Sequence, residues 1–194
     1  MNAPKEDLIS AVLLVLLKTE AMTIFIDMDE VIADTYQAHI DIYQQEFGGS
    51  FDKKACSGNE FWMMVPEAHQ SSVKGHAHRV DFFRDLKVIP DSQKVLEELF
   101  KKHEVFIASA AMQFPYSLKE KSDWLDRYFP FIPWRHRILC GHKHILKGDL
   151  LIDDRSFNLK NFEGQRLLFT SPHNTETREF ERVSSWNEIA SLLL

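Results

Sequence analysis

Short apolar runs that end on a polar residue recur along this chain. Thr23-Ile-Phe-Ile-Asp27 is wholly apolar until it stops at an acid. Val105-Phe-Ile-Ala-Ser109 stops at a hydroxyl, Leu150-Leu-Ile-Asp153 at another acid, and Leu167-Leu-Phe-Thr170 at a second hydroxyl. Arg137-Ile-Leu-Cys140 is a weaker fifth run. Uninterrupted apolar runs of this length are the mark of strands buried on both faces of a parallel sheet. Helical spacing fills the gaps. Pro90-Asp91-Ser92 opens a helix with Val95, Leu96, Leu99 and Phe100 on one face, and Ser117–Tyr128 predicts another carrying Leu118, Trp124 and Leu125. Ser185-x-x-Glu188 resembles a capping box ahead of Ile189, Leu192 and Leu193. Strands alternating with helices imply right-handed crossovers and an α/β fold with a central parallel sheet. Ligands in such folds bind at the carboxyl ends of the strands, where Asp27, Ser109 and Asp153 would converge.

Between Asp34 and Val88 the rhythm changes. Tyr36, Ile40 and Tyr43 predict a helix, but no buried-strand run follows; instead come Phe61-Trp62-Met63-Met64, His69, His76, His78 and Phe82-Phe83. Residues 35–88 are therefore expected to be a small helical cap inserted after the first strand, with 22–34 and 89–194 as the α/β core. Residues 1–21 form an N-terminal extension in which Leu8–Leu17 is nearly continuous apolar sequence. Ten such residues are too few for a membrane span. They leave export through a signal peptide as the alternative to a cytoplasmic location, against which stand the charges of Lys18 and Glu20.

The 194 residues are 44% hydrophobic and 27% charged, ordinary values for a globular domain. A net charge of −6 without a long Lys/Arg run argues against polymeric nucleic acid as partner, and no membrane partner is expected. A small phosphorylated substrate needs only a few local donors and stays compatible. The two cysteines, Cys56 and Cys140, lie outside any CxxC pattern and fit a reducing compartment. Self-association as a homodimer is left open.

Two carboxylates two residues apart at a strand end suit phosphoryl transfer. Asp27 can attack phosphorus and form an aspartyl-phosphate. Asp29 can protonate the leaving oxygen and then deprotonate the attacking water. Mg²⁺ prefers hard oxygen ligands, and Asp27, Asp153 and Asp29 through its backbone carbonyl would supply them, with Asp154 supporting. Ser109 and the neighbouring backbone N–H at Ala110 can donate to phosphoryl oxygens. A lysine should neutralise the transferring group.

The order DxD, Ser, Lys, DD resembles the haloacid dehalogenase (HAD) superfamily, whose four motifs match Asp27-Met-Asp29, Ser109, Lys143 and Asp153-Asp154. The resemblance spans Met22 to about Thr170 and implies a Rossmannoid three-layer fold and Mg²⁺ dependence. Asp27–Asp34, Phe61-Trp62, the Asp149–Arg155 segment and Trp186 look like 5′(3′)-deoxyribonucleotidases, which remove phosphate from nucleoside monophosphates under a small helical cap with an aromatic base pocket. Asp29 favours phosphatase over dehalogenase, because dehalogenase members lack that acid. The family places its lysine ten residues before the metal-binding acid, which selects Lys143 over Lys119 and Lys121, both expected on a solvated helix face. Departures are Glu30 where Gly is common, Ser109-Ala-Ala for Thr-Ser-Pro, Thr35 for a pocket aromatic, and Gly141-His142 for an Arg-Asp pair. The resemblance puts Phe61 and Trp62 in the substrate pocket. The alternatives are a HAD phosphatase for another phosphomonoester, such as a sugar phosphate, and a non-catalytic binding module on this fold. Nine histidines show no zinc spacing and are expected on surfaces and loops.

Overall fold

The computed structural model describes residues 20–194. Leu8–Leu17, on which the export alternative rests, lies outside the described residues. In chain order the elements are β1 (Thr23–Ile26), β2 (Ala33–Asp34), α1 (Thr35–Phe47), α2 (Glu67–Gly75), β3 (Lys87–Val88), α3 (Ser92–Lys102) and β4 (Glu104–Ser109). There follow α4 (Ser117–Tyr128), β5 (Arg137–Leu139), β6 (Leu150–Asp153), α5 (Ser156–Lys160), β7 (Gln165–Phe169), β8 (Glu181–Val183) and α6 (Trp186–Leu193).

Six strands form one sheet in the order β5-β4-β1-β6-β7-β8, all parallel. β1 lies between β4 and β6, with Ile26 opposite Ile107 on one side and Ile152 on the other. The chain grows outward from β1 in both directions, so the strand order reverses there. That switch point is where such sheets leave a crevice for ligands. Successive strand residues point to opposite faces, and both faces are buried. Ile24, Ile26, Val105, Ile107 and Ile152 enter the main core, whereas Phe25, Ala108, Leu151 and Leu168 enter a second cluster with Leu159 and Phe162. This double burial is why the strands read as continuous apolar runs.

The segment between β2 and β3 has its own small core of Tyr36, Ile40, Tyr43, Cys56, Phe61, Val65 and Val73. Its two ends are stitched together where β2 pairs antiparallel with β3, Ala33 facing Val88. Two tryptophans brace these connections. Trp186 Nε1 donates to the Val31 carbonyl and Trp124 Nε1 to that of Leu86, each at 2.8 Å.

Three details differ from the sequence pattern. Leu118 is exposed, because Ser117, Glu120, Lys121, Trp124 and Leu125 occupy the inward face of α4. β8 has only Val183 buried, too short an apolar signal to announce a strand. At α6, Ser185 Oγ accepts from Glu188 N, but the Glu188 carboxylate turns to Ser184 N instead of the Ser185 amide, leaving half a capping box. Among the described residues no helix is long and apolar enough to cross a membrane.

Candidate active site

The ends of β1, β4 and β6 bring Asp27, Ser109 and Asp153 to one edge, all buried. Asp27 follows the last residue of β1, and its amide still bonds the Ile152 carbonyl at 2.9 Å, so its backbone is fixed by the sheet. Its Oδ1 accepts from Met28 N at 2.7 Å and lies 2.6 Å from Lys143 Nζ. Oδ2 takes no partner among the described residues, yet it is not sealed, and Asp27 lines the cavity above the sheet. Burial pushes the Asp27 carboxyl above its usual range, against the pull of Lys143. Lys143 Nζ also reaches Asp153 Oδ2 at 2.6 Å. Burial alone would lower its ammonium; the Asp153 and Asp27 carboxylates outweigh that and hold it above the ordinary lysine value.

Lys121 does not lie on the solvated helix face that the sequence predicts: it is 1% exposed and donates to Asp29 Oδ2 at 2.5 Å and Ser109 Oγ at 2.9 Å. The Phe83 ring lies under the ammonium at 4.5 Å. Lys119, by contrast, is exposed and pairs with Asp123. The site therefore has two buried lysines, one on the Asp27–Asp153 side and one on the Asp29–Ser109 side. The signal was present in the sequence: Lys121 falls three and four positions before Trp124 and Leu125, on the apolar stripe of its helix. A cation on that stripe needs a buried partner.

The acidic side chains that converge are Asp27, Asp153 and Asp154, with ligand oxygens within 4.8 Å of one another. The Asp29 carboxylate faces Lys121 instead. Asp153 is partnered at both oxygens: Oδ1 accepts from Arg155 N at 2.8 Å, Oδ2 from Lys143 at 2.6 Å, and Asn158 Nδ2 lies 3.1 Å from each. Asp154 is not. Its Oδ1 is buried without a partner, and burial beside Asp27, Asp153 and Glu30 raises its carboxyl well above the usual range, against the pull of Arg155. A buried carboxylate with a bare oxygen, beside two more, is a donor set that fits a hard divalent cation.

Glu30 has φ +58°, the left-handed conformation in which Gly is at ease, yet its side chain is fully engaged. Oε1 accepts from Tyr36 N at 2.5 Å and Thr35 Oγ1 at 2.9 Å, while Oε2 meets Lys53 at 3.2 Å and Ser171 Oγ at 3.3 Å. Its charge thus ties the loop after β1 to the start of α1 and to Lys53.

Above the carboxylates opens a cavity of about 490 Å³, lined by Asp29, Thr35, His39, Glu60, Phe61, Trp62, Phe82, Ala110, Phe114, Lys143 and Arg155 among others. Phe61 is buried and touches Tyr36, Tyr43 and Phe51 edge-on, so it serves the small core as well as the cavity wall. Trp62 is half-buried and carries the Lys74 ammonium 3.7 Å above its ring. Arg155, next to Asp154, forms an ion pair with Glu60 across the cavity. Several histidines are not on the surface: His76 is fully buried, His103 nearly so, and His173 Nε2 lies 3.4 Å from Asp154 Oδ2. Burial, with Arg155 nearby, lowers His173 to about 4. His142 and His144 are exposed.

Residues 21–194 match the family model described as 5′ nucleotidase, deoxy (pyrimidine), cytosolic type C protein. A 5′(3′)-deoxyribonucleotidase of Bacillus subtilis is 42% identical over 180 residues, covering 88% of this chain and 98% of the relative. A putative 5′(3′)-deoxyribonucleotidase of Staphylococcus epidermidis is 39% identical over 166 residues, covering 86% and 92%. Among solved structures, a haloacid dehalogenase-like hydrolase from Streptococcus pneumoniae superposes with a TM-score of 0.55 at 14% identity, over 90% of this chain and 99% of that one. A HAD-superfamily hydrolase from Geobacter sulfurreducens gives 0.53 at 13%, over 90% and 97%. The fold is thus that of the HAD hydrolases, and the chain belongs to the deoxy (pyrimidine) cytosolic type C 5′-nucleotidase family, a family of phosphomonoester hydrolases.

Proposed function

We propose that this chain hydrolyses deoxyribonucleoside monophosphates through an aspartyl-phosphate on Asp27. The observation that carries the reading is the state of that side chain. One oxygen is held by Met28 N–H and Lys143, while Oδ2 has no partner among the described residues, on a side chain that lines the cavity. A carboxylate oriented through one oxygen presents the other for in-line attack on phosphorus. The bond from phosphorus to the ester oxygen breaks as the new bond to Oδ2 forms. Asp29 protonates the departing oxygen, then takes a proton from the water that cleaves the acyl phosphate. Lys121 holds Asp29 and Ser109 in fixed relation, leaving Ser109 and the Ala110 amide to meet phosphoryl oxygens. Lys143 offsets charge on the transferring group.

The donor set of Asp27, Asp153 and Asp154, with the Asp29 carbonyl expected from the sequence, would hold Mg²⁺. Bound there, the ion would offset the repulsion between the Asp27 carboxylate and the phosphate anion. Residues 35–88 serve as the cap, with Phe61 and Trp62 as aromatic walls for a base and the Glu60–Arg155 pair joining cap to core. The relatives named 5′(3′)-deoxyribonucleotidase support the nucleotide as substrate. A panel of phosphomonoesters with Mg²⁺ tests it: dUMP and dTMP should have higher kcat/KM than sugar phosphates, and the reverse ranking would overturn the nucleotide assignment while leaving the phosphatase chemistry intact.

A further inference from the structure

A second polar chain runs from the wall of the same cavity into the packing between α1 and α2. His39 of α1 stacks on His76, just after α2, with ring centroids 5.3 Å apart, and leans on Phe82 at 4.8 Å. The two Nδ1 atoms lie 3.2 Å apart, and His76 Nε2 lies 3.2 Å from Glu46 Oε2. Glu46 is bound in turn by Arg79 and by Ser72 Oγ at 2.9 Å.

The direction of this chain follows from what its ends can do. Burial would raise the Glu46 carboxyl, but hydrogen bonds from Arg79, Ser72 and His76 hold it at about 2, so it only accepts. His76 Nε2 therefore carries the hydrogen. Burial keeps His76 neutral, and its Nδ1 is a bare lone pair. A bare Nδ1 can only accept, so His39 donates from its own Nδ1. His39 is also neutral, lowered to about 4 by burial and by His76, which leaves its Nε2 as the bare nitrogen. That atom has no partner among the described residues and is not sealed from solvent, on a residue that lines the cavity with Phe61 and Phe82.

We propose that His39 is a specificity-determining residue, presenting its Nε2 lone pair as acceptor for a substrate N–H or O–H donor. The donor is either the imide N–H of a thymine or uracil base or a sugar hydroxyl. The substrate half of this statement rests on the nucleotidase reading; the lone-pair half does not. A site built to accept from a donor discriminates against an analogue lacking it, because the acceptor is then left unpaired. His76 and Glu46 act as positioning residues, selecting the tautomer.

Two measurements on the full chain test this. Nitrogen-15 NMR, with His39→Phe to assign the signal, should show a pyrrole-type Nδ1 and a pyridine-type Nε2 for His39, and the opposite pattern would overturn the proposal without any substrate. Second, kcat/KM is compared for dTMP, its N3-methyl analogue and 2′,3′-dideoxy-TMP, in wild type and His39→Phe. One analogue should lose about three- to tenfold in wild type and much less in the variant, a coupling that names the donor as base or sugar. Absence of coupling with both analogues overturns the proposal. Should nucleotides fail in the phosphomonoester panel, the nitrogen shifts still decide the lone-pair assignment, so the two readings fail separately.

Discussion

Asp27 and Asp29 share one turn but should fail differently. Asp27→Asn keeps the hydrogen bond to Met28 N available and removes the proposed nucleophile, so phosphate release should vanish while the circular dichroism spectrum is unchanged; retained turnover would remove the assignment. Asp29→Asn leaves attack possible and should lower kcat by about 10²–10⁴, the usual value of a proton-transfer group. Lys121→Met strands the Asp29 carboxylate. Breaking a buried pair costs about 3–5 kcal/mol, and Asp29 is 31% exposed, so about 3 kcal/mol or less is expected from urea denaturation, together with lost activity. Asp27, Ser109 and Asp153 were legible because each terminates an apolar run, a pattern visible without coordinates. Lys121 was harder to see, since two lysines two positions apart in one helix look alike until the helix phase is fixed by Trp124 and Leu125.

Whole strands declared themselves by being buried on both faces, whereas β8, with one buried residue, could not. The segment between β2 and β3 was legible only as an interruption. Its contacts to the rest, such as Glu60 with Arg155 and Lys53 with Glu30, join residues far apart in sequence and follow no period. The histidines of that segment show the same limit: burial of His39 and His76 depends on how α1 meets α2. This packing has a pH consequence. A histidine held at about 4 in the fold and near 6.5 when unfolded stabilises the protein above pH 6.5, and that contribution is lost as pH falls towards 4. For His39 the loss amounts to about 2–3 kcal/mol. Asp27, Glu30 and Asp154, with raised carboxyls, act in the opposite sense. Urea midpoints from pH 7 to pH 4 for wild type and His39→Phe subtract those carboxyls, and the variant should lose about 2–3 kcal/mol less over this window. Parallel curves would mean that His39 is not held neutral.

The fold as a whole concentrates carboxylates at the carboxyl ends of the strands where the strand order reverses. Structures with 13–14% identity share the fold, so the layout does not depend on one particular sequence. What it does not tolerate cheaply is Asp154, a buried carboxylate with one bare oxygen beside Asp27 and Asp153. A folded-state pKa raised above the unfolded value means that the group stabilises the protein at low pH, and the stability is lost as pH rises through the folded pKa. A divalent cation binding the ionised cluster would reverse that loss and compete with protons for the same oxygens. Mg²⁺ should therefore raise the melting temperature, and raise it more at pH 8 than at pH 5. At a concentration 100 times Kd, binding to the native state contributes about 2.7 kcal/mol. For a domain of this size that is about 5–10 °C. Asp154→Asn, which neutralises the bare oxygen's side chain without emptying the core, should leave the metal-free protein at least as stable and shrink the Mg²⁺ increment. EDTA should abolish turnover of wild type and Mg²⁺ restore it. Calorimetry showing equal melting temperatures with and without Mg²⁺ at pH 8, together with activity indifferent to chelation, would mean that the three carboxylates serve some end other than holding a cation.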